Sequence, residues 1–166
     1  MVDAVMGDEL AFEVGGDWRA GLGSFAHAMR AMILRHPWTA VQGPGARTLG
    51  PNAARCYERV LGTIDGLGLG IDEMLVMVET LSAFVLGGAL GELAEQEAVR
   101  RSGLGQREWM DHQAPYIRGL IESGRYPLLT RVVLDARAPH DPDRLEHGFD
   151  TGLERVLDGL AAMLPA

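Results

Sequence analysis

An all-α domain is the fold this sequence predicts, and three features carry that prediction. Apolar residues recur at i, i+3, i+4 and i+7 in several separate stretches, no stretch alternates apolar and polar as a half-buried strand does, and glycine or proline clusters fall between the helical stretches. About six helices are expected. At 166 residues the chain suits a single domain spanning 1–166, large enough to fold around one core without disulfide staples.

The N-terminal stretch Val2 to Val14 is weakly amphipathic through Val5, Met6, Leu10 and Phe12, and Gly15 and Gly16 end it. Asp17 follows as an N-cap candidate, because its carboxylate can accept from the first free N–H groups of a helix beginning at Trp18. Leu22, Phe25, Ala26, Met29, Met32 and Ile33 then form one stripe of a helix to Arg35, with His27 and Arg30 largely off it. His36-Pro37-Trp38 stops that helix, since the residue before proline is pushed out of the α region. From Thr39 to Gly50 a loop is expected, after one short helical turn at most, and Pro51 reads as a first-turn proline. The next helix carries Ala54, Tyr57, Val60, Leu61 and Ile64 and ends at Gly66, Gly68 and Gly70.

Ile71 to Arg100 is the central helix. Asp72 and Glu73 lie in its first turn and arginines at its end, which complements the helix dipole, and apolar residues occupy nearly every face through its middle. Gly87, Gly88 and Gly91 interrupt it, each costing about 1 kcal/mol against alanine in a helix interior, so a close backbone partner is expected there. After a loop at 102–105, Glu108 to Ser123 forms a helix that Pro115 should kink or break. A short helix from Pro127 to Ala136 and a turn at 139–143 lead to the last helix. Its Leu145, Phe149, Leu153, Val156, Leu160 and Met163 follow a bundle-like spacing, with Gly148, Gly152 and Gly159 on a neighbouring face.

Charge and motifs exclude several function classes. The net charge is −8 and the fifteen basic residues, all arginines, are dispersed, so the chain offers no basic stripe for a phosphate backbone. The acidic N-terminus (Asp3, Asp8, Glu9) lacks the pattern of a signal peptide, and the apolar run in the central helix, interrupted by Glu79, reads as too short and too polar to span a bilayer. A cytoplasmic protein without membrane contact is expected, and the lone Cys56, set among Ala53, Val60 and Ile64, reads as an inert buried thiol. No nucleophile elbow, glycine-rich phosphate loop or His-Glu-x-x-His motif is present, so no enzymatic activity is expected. Glu92, Glu95 and Glu97 lack histidines at bridging spacing, and helix capping accounts for Asp141 and Asp143 beside His147, so neither a metal nor a cofactor is expected.

The order of these features resembles the C-terminal regulatory domain of tetracycline-repressor (TetR) type transcriptional regulators. The residues that carry the resemblance are Asp17-Trp18-Arg19, the stretch Met29 to Trp38, Gly50-Pro51-Asn52, Gly68-Leu69, Phe84 to Gly88 with Glu92, and Phe149 to Gly159, together covering nearly the whole chain. The chain begins where the regulatory helices of that family begin, so the resemblance implies a module without the helix-turn-helix head.

The resemblance further implies a homodimer formed through a four-helix bundle of the central and last helices, with Phe84, Gly87, Gly88, Gly91, Gly148, Gly152, Val156 and Gly159 at the interface. It implies an effector site between helices, here with Phe25, Met29, Tyr57, Leu61, Met74, Val78, Trp109, His112 and Tyr116 as candidates. Ala83 and Gly91 stand where the tetracycline repressor has a histidine and an acidic residue of its magnesium-drug site, and Phe25 and Met29 stand where it has an amide and an aromatic ring. A hydrophobic antibiotic or polyketide-like metabolite therefore suits the lining better than chelated tetracycline. The implied function is effector sensing and dimerisation in a repressor. A stand-alone binding or heterodimerising protein is the alternative.

Overall fold

A computed structural model describes residues 2–10, 12, 17–41, 50–137, 141 and 143–165. The expected turn at Gly15 and Gly16, most of the loop before Gly50, and Pro139, His140 and Pro142 lie outside the described residues.

Eight helices are present among the described residues, two more than expected: α1 (Val2–Glu9), α2 (Trp18–Arg35), α3 (Trp38–Val41), α4 (Pro51–Ile64), α5 (Ile71–Ser102), α6 (Gln106–Glu122), α7 (Pro127–Asp135) and α8 (Arg144–Ala161). The additions are α1, where a weak amphipathic segment was read, and the single turn α3. No strand occurs among the described residues. The chain divides into two compact units, one of Met1–Leu93 with Phe149–Ala166 and the other of Ala94–Gly148, so α5 and α8 each run across the boundary.

In the first unit, local chemistry sets each helix start. The Asp17 carboxylate accepts from the Ala20 N–H at 2.8 Å and caps α2 as expected. Gly70 has no side chain to cap α5, and Glu73 in the first turn reaches back to accept from its N–H at 2.7 Å. Between α4 and α5 the chain reverses through Gly66 and Gly68, whose φ values of +79° and +81° are left-handed conformations that disfavour a side chain.

The core of this unit is one apolar cluster built on α5. Met77, Leu81, Val85 and Ala89 have no exposed surface, and around them pack Leu22, Phe25, Ala26 and Ile33 of α2, Val60 and Ile64 of α4, and Phe149, Leu153, Leu157 and Leu160 of α8. Full burial of residues of this size contributes about 1.5–3 kcal/mol each. By length and composition α5 is apolar enough to cross a membrane, contrary to the sequence expectation; its buried stripe is equally what the core helix of a globular unit requires. Gly21 lets α2 approach α4, since a Cβ there would meet the Thr63 Cγ2 at 2.3 Å.

The second unit is built differently. There α6 and α7 pack against each other, Arg144 at the start of α8 pairs with Glu95 of α5, and Glu108 accepts from the Gly105 N–H at 2.9 Å to start α6. Of the kink or break expected at Pro115, the break is absent: α6 continues through it to Glu122. Proline removes one helical hydrogen bond, and here Asp111, Ala114 and Pro115 are all exposed, so water can solvate the freed carbonyl. No described residue of α6 or α7 is fully buried.

Candidate functional site

Five of the nine candidate ligand residues belong to, or pack against, the apolar cluster of the first unit. Phe25, Met74 and Val78 belong to the buried cluster, and Met29 and Leu61 pack against it half-buried. They come from three helices: α2 presents Phe25 and Met29 one turn apart, α4 presents Leu61, and α5 presents Met74 and Val78 one turn apart. All five are apolar or aromatic, and the two methionines are unbranched and adapt to irregular shapes. Tyr57 does not join them. Its neighbours Cys56 and Val60 take the inward direction of α4, and Tyr57 itself is 42% exposed. Trp109, His112 and Tyr116 lie on α6 in the second unit and are exposed.

Against Phe25 sits Phe12, which the sequence places only in a weakly amphipathic segment. Phe12 is 4% exposed, and its ring meets the Phe25 ring edge-on at 5.4 Å between centroids. Arg59 of α4 donates to the Phe12 carbonyl and stacks its guanidinium 4.7 Å from the ring centroid.

Toward the other end of α5 lies a charged group that was also missed. Arg30 of α2 donates to both carboxylate oxygens of Glu92 at 2.6 and 2.9 Å, in the bidentate geometry that gives such pairs their strength. Both partners are largely removed from water, and the Arg30 guanidinium stands 4.6 Å over the Phe149 ring of α8. Phe149 also stacks on Phe84 and meets His27 edge-on, each at 5.4 Å, so one ring joins α2, α5 and α8. A signal was available: Val85, Ala89 and Glu92 fall at i, i+4 and i+7, placing a lone acid on the buried stripe.

The remaining titratable groups are peripheral. Burial pushes the Cys56 thiol above its ordinary range, as expected of an inert cysteine. In the second unit a hydrogen bond from His147 at 2.7 Å holds Asp141 below the usual carboxylate range, and the same bond raises His147. Among the described residues no group of three or more His, Cys, Asp or Glu side chains is placed to hold a metal ion.

Comparison with known proteins resolves what this arrangement belongs to. The family model described as "Tetracyclin repressor-like, C-terminal domain" matches residues 13–164. The chain belongs to this family. Among its relatives, the HTH-type transcriptional repressor DrrR1 of Streptomyces coeruleorubidus is 35% identical over 149 residues, covering 90% of this chain and 53% of that protein. An HTH-type transcriptional regulator of Saccharopolyspora erythraea is 28% identical over 165 residues, 97% of this chain and 63% of its own length. The chain thus spans between half and two thirds of the curated relatives it matches. A possible TetR family transcriptional regulator from Streptomyces coelicolor superposes with a TM-score of 0.63 at 27% identity, covering 98% of this chain and 73% of that one. Apo ActR from the same species shares the fold, with a TM-score of 0.66 at 24% identity over 97% of this chain and 74% of its own.

In this TetR-family domain the expected interface residues separate into two sets. Phe84, Gly88 and Gly152 serve packing within the chain: a Cβ on Gly152 would meet the Phe84 ring at 2.8 Å, and one on Gly88 would meet the Phe149 ring at 3.4 Å. Val156 packs half-buried against the core. Gly87, Gly91, Gly148 and Gly159 are exposed, and a Cβ on any of them would meet nothing within 4 Å among the described residues. On α5 the open glycines share a face with exposed Val76, Ala83 and Leu90. Ala83 and Gly91, matched by resemblance to positions of a drug site, therefore lie on the outer face of α5 and not among the residues around Phe25.

Proposed function

We propose that this chain is the effector-sensing and dimerisation module of a TetR-type transcriptional repressor, and that its effector is a predominantly apolar small molecule. The observation that carries this reading is that Phe25, Met29, Leu61, Met74 and Val78, from three helices, share one apolar cluster in a domain of this family. An apolar ligand lodged there gains contact area with adaptable side chains and strands no buried charge. Because the wall is shared by α2, α4 and α5, a ligand that fits one arrangement of these helices better than another shifts the balance between them. The shift is limited to the ligand's differential affinity for the two arrangements. Where a DNA-reading head is attached, that shift releases DNA, which places the protein in the cytoplasm with its operator.

Dimerisation follows from the outer faces of α5 and α8. Gly87, Gly91 and Gly159 each forgo about 1 kcal/mol of helix propensity, and nothing among the described residues requires their lack of a side chain. A second copy packed backbone to backbone would use it. Two experiments test the reading. Met29→Glu, checked for retained helicity by circular dichroism, should abolish fluorescence enhancement of the apolar probe 1-anilinonaphthalene-8-sulfonate while leaving the sedimentation coefficient unchanged; unaltered probe affinity would remove the site. In sedimentation velocity the parent should run as a dimer and Gly87→Arg/Gly159→Arg as a folded monomer. A parent that stays monomeric at high concentration would refute the dimer.

A further inference from the structure

Asp3 is the starting point. Helix α4 begins Gly50-Pro51-Asn52-Ala53, and its N-cap residue Gly50 has no side chain with which to accept from the free N–H groups of the first turn. Asp3, some fifty residues earlier in α1, supplies that acceptor: its Oδ1 accepts from the Asn52 N–H at 3.0 Å and from the Ala53 N–H at 2.9 Å. The Asn52 side chain returns a bond to the Asp3 carbonyl at 2.9 Å. A carboxylate here also meets the positive end of the α4 dipole. Two glycines make room for the joint, since a Cβ on Gly50 would meet the Asp3 Cγ at 2.2 Å and one on Gly7 would meet the Asn52 Nδ2 at 2.6 Å. Further along the same segment, Arg59 of α4 holds the Phe12 carbonyl and ring. Residues Asp3 and Phe12 are thus each tied to α4, and the second tie seats the Phe12 ring on Phe25; Leu10 is also buried, at 5% exposure.

We propose that Phe12 is an intramolecular occupant of the apolar effector site, held there by a strap whose remote fastener is the Asp3 cap on α4. The proposal rests on the effector site inferred above. Ligand contact with Phe25 and seating of Phe12 compete for the same aromatic surface, so the ligand must lift the strap and the strap weakens the ligand. By linkage the two effects are equal: whatever factor the docked strap takes from ligand affinity, the bound ligand takes from docking. Asp3 belongs to the strap and does not itself touch Phe25, which makes it a positioning residue whose removal should improve binding.

The test measures affinity for 1-anilinonaphthalene-8-sulfonate and amide hydrogen exchange of residues 2–10 in the same full chain. Asp3→Ala should speed exchange in α1 and raise probe affinity about fivefold, in keeping with loss of a helix cap. Asp3→Asn, whose side-chain oxygen still accepts, should stay within about twofold of the parent. Phe12→Ala should raise affinity at least as much as Asp3→Ala, and saturating probe should speed α1 exchange in the parent. Faster α1 exchange in Asp3→Ala with unchanged affinity in both variants would overturn the competition while leaving the site intact. Unchanged α1 exchange in Asp3→Ala would overturn the strap. Absence of probe binding in the parent and in both variants would sink the effector site and the occupant with it.

Discussion

Replacing Arg30 by methionine tests the energetics of the first unit most directly. Exposed ion pairs contribute about 0–1 kcal/mol, whereas removing one partner of a buried pair costs about 3–5 kcal/mol because the remaining charge loses its partner. The side chains of Arg30 and Glu92 are 16% and 9% exposed, and the two hydrogen bonds of 2.6 and 2.9 Å are bidentate, so the pair lies near the buried limit. The variant also gives up the guanidinium over Phe149, worth about 0.5–2 kcal/mol, although a thioether there regains part of that contact. A loss of about 3 kcal/mol is expected, lowering the unfolding midpoint by about 6–12 °C in a chain of this size. Arg30→Met/Glu92→Met leaves no charge behind and should return to within about 1 kcal/mol of the parent. Urea and thermal unfolding followed by circular dichroism measure both variants. A single variant within about 0.5 kcal/mol of the parent, or a double variant no more stable than the single, would refute the assignment of a buried, partner-dependent charge.

The two kinds of helical glycine should respond in opposite directions. Gly21→Ala must push against Thr63 at 2.3 Å and should destabilise by about 1–2 kcal/mol, whereas Gly62→Ala, open on its helix, should stabilise by about 0.5–1 kcal/mol, both read from urea midpoints. Cys56 should resist a disulfide-exchange reagent in the native protein at pH 8 and react stoichiometrically in denaturant, because burial raises its pKa; rapid native reaction would contradict its placement. His147 is raised above its ordinary 6.5 by Asp141, so its stabilising contribution is complete below the unfolded pKa and is lost as pH rises through the higher folded value. Asp141 is lowered, so its contribution holds above its ordinary 3.8 and is lost as pH falls through the folded value. The pair therefore strengthens the start of α8 in the window between those limits. An NMR titration should place the His147 midpoint above that of a histidine in the unfolded chain, with Asp141→Asn bringing it down, and an equal midpoint in both proteins would contradict the bond.

What the sequence disclosed was governed by how local the responsible physics is. The Asp17 cap, the stop at His36-Pro37 and the Pro51 start depend on residues within one turn, and the structure has them as read. The Asp3 cap of α4 was invisible because its donors lie about fifty positions away and no local rule joins them. The burial of the candidate site residues divides similarly. Phe25, Met29, Met74 and Val78 were legible from helical spacing, since a residue on a core stripe must face inward. Tyr57 was not, because one 100° step separates it from Cys56 and composition does not say which of the two turns away. Phe12 is the instructive miss: a single aromatic in a weakly patterned segment has no periodicity to reveal its destination, and its seat is set by Arg59 and Phe25.

The helix α5 shows why an apolar pattern can be too apolar to read. Its buried stripe (Met74, Met77, Val78, Leu81, Val85, Ala89) would by itself make an ordinary amphipathic helix with a polar outer face. The outer face instead carries Val76, Ala83, Gly87, Leu90 and Gly91, with Val76 and Leu90 exposed at 51% and 46%. Two apolar faces cancel the periodic signal, which explains why the sequence reading put apolar residues on nearly every side and why the helix has the composition of a membrane span. They also carry different amounts of volume. The inner face is filled with methionine, leucine and valine, as a core requires, while the outer face is thinned to glycine and alanine about one helical turn apart. Thinning reduces the contact area a core would want and shortens the distance at which another backbone can lie. That combination is of use where the outer face meets a helix, which makes sedimentation of the Gly87→Arg/Gly159→Arg variant the measurement on which the meaning of these glycines turns.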